Sequence, residues 1–224
     1  FLKKDFTQRL DLANGQIQIK SGENQLRIWV DVRENMVWVA GNLEKPSEIK
    51  ARYLTWRTAD NLPVNSPVKS TGLKEAGDTI VEMEEGILVY HKNGDNGIKH
   101  LARLQEIDEV GCVPDLLKNR IFGGILTLDG GVRKDHGLVK TETDSFCIRL
   151  MTLSEQTEKE EEWIDRLCRG LENRKNQEQS EAETSRFWNN FWKKSYIYVS
   201  GDKKRKAECN DRILACASEP MECS

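Results

Sequence analysis

The feature that most constrains this chain is a period-two alternation of side chains, repeated in short runs that turn residues separate. In one run, aliphatic residues alternate with polar or aromatic ones: Leu26, Ile28, Val30 and Val32 against Arg27, Trp29, Asp31 and Arg33. Successive side chains of a β-strand point to opposite faces, so this pattern predicts a half-buried strand with an aliphatic row on one face. Repetition of such runs from Phe1 to about Leu153 is typical of an all-β sandwich or barrel.

The same pattern predicts the individual strands. A turn at Arg33–Asn35 separates the first run from Met36–Ala40, which indicates a hairpin. A second hairpin turns at Glu84–Gly86. Asn61–Gly77, which contains Pro63 and Pro67, is predicted to be a long loop. Further strands are expected at Ile49–Trp56, Thr79–Met83, Ile87–His91, Phe122–Leu128 and Ser145–Leu150.

The composition changes at Ser154. Thr157–Arg169 is rich in Glu and Lys, and Trp163, Leu167 and Leu171 recur at helical spacing, which predicts an amphipathic helix starting here. Ser154–Thr157 offers N-cap candidates for this helix. In a second helical segment, aromatic side chains share one side: Phe187, Trp188, Phe191 and Trp192.

These observations divide the chain into three parts. We expect a β-sandwich domain at residues 1–153 and a helical linker at 154–194, followed at 195–224 by a last strand, Ser195–Val199, and a poorly ordered tail. The 224 residues suffice for one good-sized core with an appendage.

Charge and hydropathy argue against two classes of partner. The 34 basic and 37 acidic side chains leave a net charge of −3, which creates no field that attracts nucleic acid, and the basic run Lys203–Lys206 is too short to change this. No apolar run approaches the roughly 18 residues of a membrane span, and the first residues do not lead into a signal-peptide core. We therefore expect neither nucleic acid nor membrane as a partner.

No motif in the sequence carries catalytic chemistry by itself. A glycosidase needs two carboxyls at a fixed separation, but the acidic residues here lie mostly in charge runs, which are typical of a solvated surface. We therefore assign no catalytic residue, metal ligand or cofactor. No cysteine pair has the C-x-x-C spacing of a zinc site. The six cysteines are Cys112, Cys147, Cys168, Cys209, Cys216 and Cys223.

Two strand ends carry residues that suit a carbohydrate. Aromatic rings stack on the apolar faces of sugars, while Asn, Arg and His bind the hydroxyls. The predicted contacts are Trp56 and Arg57 before the long loop and His91 and Asn93 after the second hairpin. They form a site only if the two strand ends point the same way. Otherwise Trp56 is a core or edge aromatic and His91 a hydrogen-bonded structural residue.

Five motifs follow one another in the order of a known bacterial family. They are Gln8–Ile17, Leu26–Asp31, Tyr90–Asn93, Asn119–Gly124 and Phe187–Ser195. From Phe6 to about Asp202 the chain resembles the N-terminal domain, called domain of unknown function 5703, of large glycoside hydrolases related to the family 95 α-L-fucosidase type.

This resemblance implies a large, super-sandwich-like β-sandwich, a helical linker and an (α/α)6 barrel that carries the catalytic acid and base. It also implies a secreted or periplasmic enzyme that acts on oligo- or polysaccharide. The chain departs from the family at both ends: family members carry additional strands before the Gln8 motif, and residues 208–224 do not resemble the start of a barrel. The first strands and the catalytic domain are therefore expected to be missing.

The expected function is that of a non-catalytic portion of a glycoside hydrolase, inactive without its barrel. Phe187, Trp188, Phe191 and Trp192 are then expected to pack between domains. Two alternatives remain open. The first alternative is a free-standing carbohydrate-binding module. The second is a structural domain that docks a partner through the Phe187–Trp192 face.

Overall fold

The computed structural model describes residues 5–58, 76–84, 86–94, 102–107 and 115–195. Within these ranges nine strands form one antiparallel sheet, followed by helices α1 (Glu160–Glu172) and α2 (Gln177–Trp192). The predicted mainly-β fold is confirmed. The strands are β1 (Phe6–Asp11), β2 (Gln16–Ser21), β3 (Asn24–Val30), β4 (Met36–Arg52), β5 (Thr79–Glu82), β6 (Ile87–Lys92), β7 (Arg120–Leu128), β8 (Val132–Lys134) and β9 (Gly137–Gln156).

Two long central strands give the sheet its shape. The strand order is β1-β2-β3-β4-β9-β7-β6-β5, with β8 paired to β9. The pairing of β4 with β9 shifts register between Asn42 and Ile49, and irregularities of this kind bend a strand. The sandwich-like fold agrees with the prediction, and β4 and β9 join all described strands into one hydrogen-bonded sheet. The separate strands predicted at Met36–Ala40 and Ile49–Trp56 are parts of one strand, β4, which ends at Arg52.

Each face of the sheet has its own core. On one face, α1 buries Trp163, Leu167 and Leu171, the three residues predicted from their spacing. The other core joins the far halves of β4 and β9 to β6 and β7; its buried members are Ala51, Ile87, Val89, Leu126, Leu128 and Leu138.

The aliphatic row of β3 does not form the main core. Trp29 is 2% exposed and Val30 58% exposed, because α2 covers the face that carries Trp29. Trp29 stacks on Trp38 with ring centroids 5.7 Å apart. On the same face Arg27 pairs with Glu181 of α2. Partners on α2 therefore bury Trp29 and partly cover Arg27.

The N-termini of the two helices are stabilised in different ways. The N-cap of α1 is Lys159, which makes no side-chain capping bond, so the predicted caps at Ser154–Thr157 are wrong. The helix is stabilised instead by the acidic side chains of its first turn, Glu160–Glu162, which are attracted to the positive end of the helix dipole. The side chain of Asn176 caps α2 by accepting from the Gln179 amide at 2.9 Å.

Parts of the predicted domain division lie outside the described residues. β9 continues to Gln156, three residues beyond the boundary expected at 153. The loop predicted at Asn61–Gly77, apart from its last two residues, the strand after Ser195 and the tail are not among the described residues. The division into sandwich, linker and tail stays a prediction. No helix in the described ranges is long and apolar enough to cross a membrane.

A buried hydroxyl joins α2 to the sheet and gives a first prediction. Ser180 is fully buried, accepts from Trp29 Nε1 at 3.1 Å and donates to Asp31 Oδ2. Ser180→Ala removes the partner of Trp29 Nε1 and of Asp31 Oδ2, so the free energy of unfolding should fall by about 1–3 kcal/mol in urea denaturation. Ser185→Ala makes the same change on the same helix at a partly exposed position and should cost little. Equal effects of the two substitutions would contradict the assigned role of Ser180.

Candidate functional site

Two of the segments predicted to carry a site meet at one carboxylate, that of Asp78. His91 Nδ1 lies 3.1 Å from Asp78 Oδ1, and Arg57 Nη1 lies 3.9 Å from the same oxygen. The two strand ends therefore do point the same way, which was the condition for a site.

The β5–β6 hairpin places Asp78 beside His91. Thr79 pairs with Tyr90, so the residue before Thr79 lies opposite the residue after Tyr90. The Asp78 amide also donates to the Arg57 carbonyl at 2.8 Å, which fixes the segment after β4 to the start of β5. Thr55 Oγ1 donates to Asp78 Oδ2 and accepts from the Arg57 amide at 3.0 Å.

His91 is buried in this arrangement, with 8% of its surface exposed. Because a carboxylate accepts and cannot donate, Asp78 places the ring proton on Nδ1 when His91 is neutral. Nε2 then carries the lone pair and can accept from a hydroxyl. The ring of Phe122, directly across the β6–β7 pairing, lies 5.3 Å from the His91 ring and holds its orientation.

The outer part of the site is aromatic and cationic. Trp56 is 56% exposed. The guanidinium carbon of Arg57 lies 4.6 Å from the centre of the Trp56 ring and 5.4 Å from that of Phe122. These cation–π contacts orient the guanidinium against both rings.

A groove of about 470 Å³ with a mixed polar and apolar lining begins at Phe122. Thr152 and Ser154 of β9 line it together with Asn35 of the β3–β4 turn. Phe122 belongs both to the groove and to the cluster around Asp78. The site is therefore an open surface that leads from Trp56 toward β9.

Asn93, the fourth predicted contact, does not join this cluster. Its amide donates to the Arg120 carbonyl at 2.9 Å, and its Nδ2 donates to the Leu117 carbonyl at 3.1 Å. These bonds fix the chain that leads into β7, which is a structural role.

The sequence analysis missed three members of the site: Thr55, Asp78 and Phe122. A signal for Asp78 was present, because the register of the predicted hairpin places it opposite His91. Nothing in the local pattern indicates Phe122, which belongs to a strand distant in sequence.

The neighbours of His91 on β6 face the opposite side of the sheet. Tyr90 Oη donates to Glu160 Oε2 at 2.6 Å, and Lys92 Nζ donates to Glu160 Oε1 at 3.1 Å. The hydrogen bond from Tyr90, followed by that from Lys92, lowers the pKa of Glu160. Burial and this bond raise the pKa of Tyr90. Tyr90 and Lys92 thus bind α1, whereas His91 faces the opposite side of the sheet.

The aromatic cluster of α2 lies at a different place. Phe187, Trp188, Phe191 and Trp192 contact one another through edge and stacked geometries. Trp188 covers Gly15 so closely that a Cβ there would overlap its ring. Phe187 is 45% exposed beside a groove of about 490 Å³ that Val32, Arg186 and Phe191 line. The cluster therefore packs partly on this chain and leaves one edge open.

The thiols of the described residues do not suggest nucleophilic chemistry. Burial raises the pKa of Cys147 to about 11, so this thiol stays protonated at neutral pH. Burial also raises the pKa of Cys168. No group of three potential metal ligands occurs in the part of the chain that the structure describes.

Comparison with known proteins gives one match. The model of the family DUF5703_N, described as a domain of unknown function (DUF5703), matches residues 1–197. No curated protein matches the chain.

The role of Asp78 in assembling the site is testable. Asp78→Ala removes the partner of His91 and Thr55 from a buried position and should lower the free energy of unfolding by about 2–4 kcal/mol. Asp144→Ala, an exposed aspartate on β9, should change it little. In the native protein and in Asp144→Ala, nitrogen NMR of the neutral His91 ring should show the proton on Nδ1 and none on Nε2. The same tautomer in Asp78→Ala would contradict this role.

Proposed function

We propose that this chain, which belongs to the DUF5703_N family, is a non-catalytic, sugar-binding portion of a polysaccharide-degrading glycoside hydrolase. The observation that carries the proposal is the exposed ring of Trp56 next to the buried pair of Asp78 and His91. An exposed aromatic platform beside fixed polar groups is what a sugar ring requires.

The two parts of the site bind different parts of a sugar. The exposed surface of Trp56 offers an apolar face for the C–H groups of a pyranose ring. Nε2 of His91 accepts from a hydroxyl, and the Arg57 guanidinium donates to one. Because Asp78 fixes His91, and the rings of Trp56 and Phe122 orient Arg57, little side-chain entropy is lost on binding.

An extended ligand fits this site better than a single sugar. The groove from Phe122 toward Thr152 and Ser154 continues the surface and presents hydroxyl groups along it. Binding along an open surface is suited to a segment of a polysaccharide chain.

The described part of the site holds two carboxylates, and the protein engages both. Asp78 is 5% exposed in its side chain and holds Thr55 and His91. Glu155, at the far end of the groove, pairs with Arg166 of α1. We therefore assign them no role as an acid and base pair. In the proposed parent enzyme, related to glycoside hydrolase family 95, an (α/α)6 barrel supplies the acid and base. The parent is proposed to be secreted or periplasmic.

A second candidate function rests on α2. Phe187 is exposed at the edge of an apolar cluster, and exposed apolar patches of this kind mark interaction sites. This candidate predicts association through α2 and no sugar binding.

A pair of substitutions distinguishes the two candidates. Trp56→Ala should weaken binding of an oligosaccharide, selected from a glycan array with the native protein, by at least about tenfold in calorimetry, because it removes the stacking surface. Leu54→Ala, at an 88% exposed position two residues earlier, is the matched control and should leave the affinity unchanged.

Phe187→Ala should also leave sugar affinity unchanged. Absence of binding to any array glycan, or equal loss in Trp56→Ala and Leu54→Ala, would contradict the proposed site. Sugar release by the native chain that His91→Ala abolishes would contradict the non-catalytic role.

A further inference from the structure

Arg57 is the cationic residue of the site, and its charge is incompletely compensated. Its ion pair with Asp78 is a single contact of 3.9 Å, which is too long for a hydrogen bond. Asp78 Oδ1 instead lies 3.1 Å from His91, and its Oδ2 accepts from Thr55. Among the described residues, the guanidinium of Arg57 therefore keeps hydrogen-bond donors that no protein acceptor occupies.

The position of Arg57 prepares it for a planar anion. The rings of Trp56 and Phe122 restrain the guanidinium at 4.6 and 5.4 Å, so its fork does not have to be ordered on binding. Its side chain is 28% exposed, which leaves it reachable but partly shielded from solvent. A guanidinium so placed binds a carboxylate through two parallel hydrogen bonds.

We infer that the ligand of this site is an acidic oligosaccharide in which the carboxylate of one sugar unit binds Arg57 and a neighbouring unit stacks on Trp56. This inference rests on the proposed sugar-binding function and specifies its substrate class. With a neutral sugar, Arg57 would only donate hydrogen bonds to hydroxyl groups. The planar fork of the guanidinium matches the two oxygens of a carboxylate better.

The chain contains a matched control for Arg57. Arg133 on β8 also makes a single 3.9 Å ion contact, with Glu82, but it has no aromatic ring among its described contacts. Arg57→Gln and Arg133→Gln therefore remove the same charge from the protein, and only the first removes it from the site. Arg57→Lys keeps the charge and loses the planar fork.

The experiment measures binding to a panel of uronate-containing oligosaccharides, each paired with its carboxyl-reduced, neutral form. The native protein should bind at least one acidic form about tenfold more tightly than its neutral partner, since a hydrogen bond between two charged groups is stronger than one to a neutral hydroxyl. The preference should fall with added salt. Arg57→Gln should abolish it, Arg57→Lys should reduce it, and Arg133→Gln should retain it.

The outcomes separate this inference from the proposed function. If neutral and acidic forms bind equally and Trp56→Ala weakens both, the sugar site stands and the acidic ligand is overturned. Unchanged preference in Arg57→Gln, with native thermal stability, also overturns it. If no member of the panel and no array glycan binds the native protein, the proposed function itself fails.

Discussion

The buried carboxylate of Asp78 is the constraint on which the site depends. A buried charge is costly unless it is paired and hydrogen-bonded, so its position dictates what surrounds it. Thr55 and Arg57, from the segment after β4, and His91, from β6, converge on this one group. The bent course of β4 and the β5–β6 hairpin bring those segments within reach, so the fold and the site have a common origin.

The two faces of the sheet have different roles. One face holds the helices through polar contacts, such as the buried contact of Trp29 with Ser180 and the partly buried contact of Tyr90 with Glu160. The opposite face carries His91 and Phe122 in a cross-strand pair. Alternation along β6 thus sends residues 90 and 92 to the helix and residue 91 to the site. A shift of register by one residue would exchange these roles.

The sequence predicted the local elements well, but it did not predict the contacts between segments that are distant in the chain. The apolar spacing of α1 and the hairpin of β5 and β6 follow from neighbouring residues, and both are confirmed. Which face of β3 is buried was not predictable, because α2 lies more than a hundred residues later. Trp56, Arg57 and His91 were proposed from residue type alone. That Arg57 and His91 meet at Asp78 depends on the pairing of distant segments, which residue type does not reveal.

NMR of the indole N–H groups during titration with the tightest-binding array glycan tests the central claim most directly, because each tryptophan reports its own location. The account predicts that the Trp56 signal shifts in proportion to ligand bound, while the buried Trp29, Trp38 and Trp163 stay unchanged. Shifts confined to Trp188 and Trp192 on α2, with Trp56 unaffected, would contradict it.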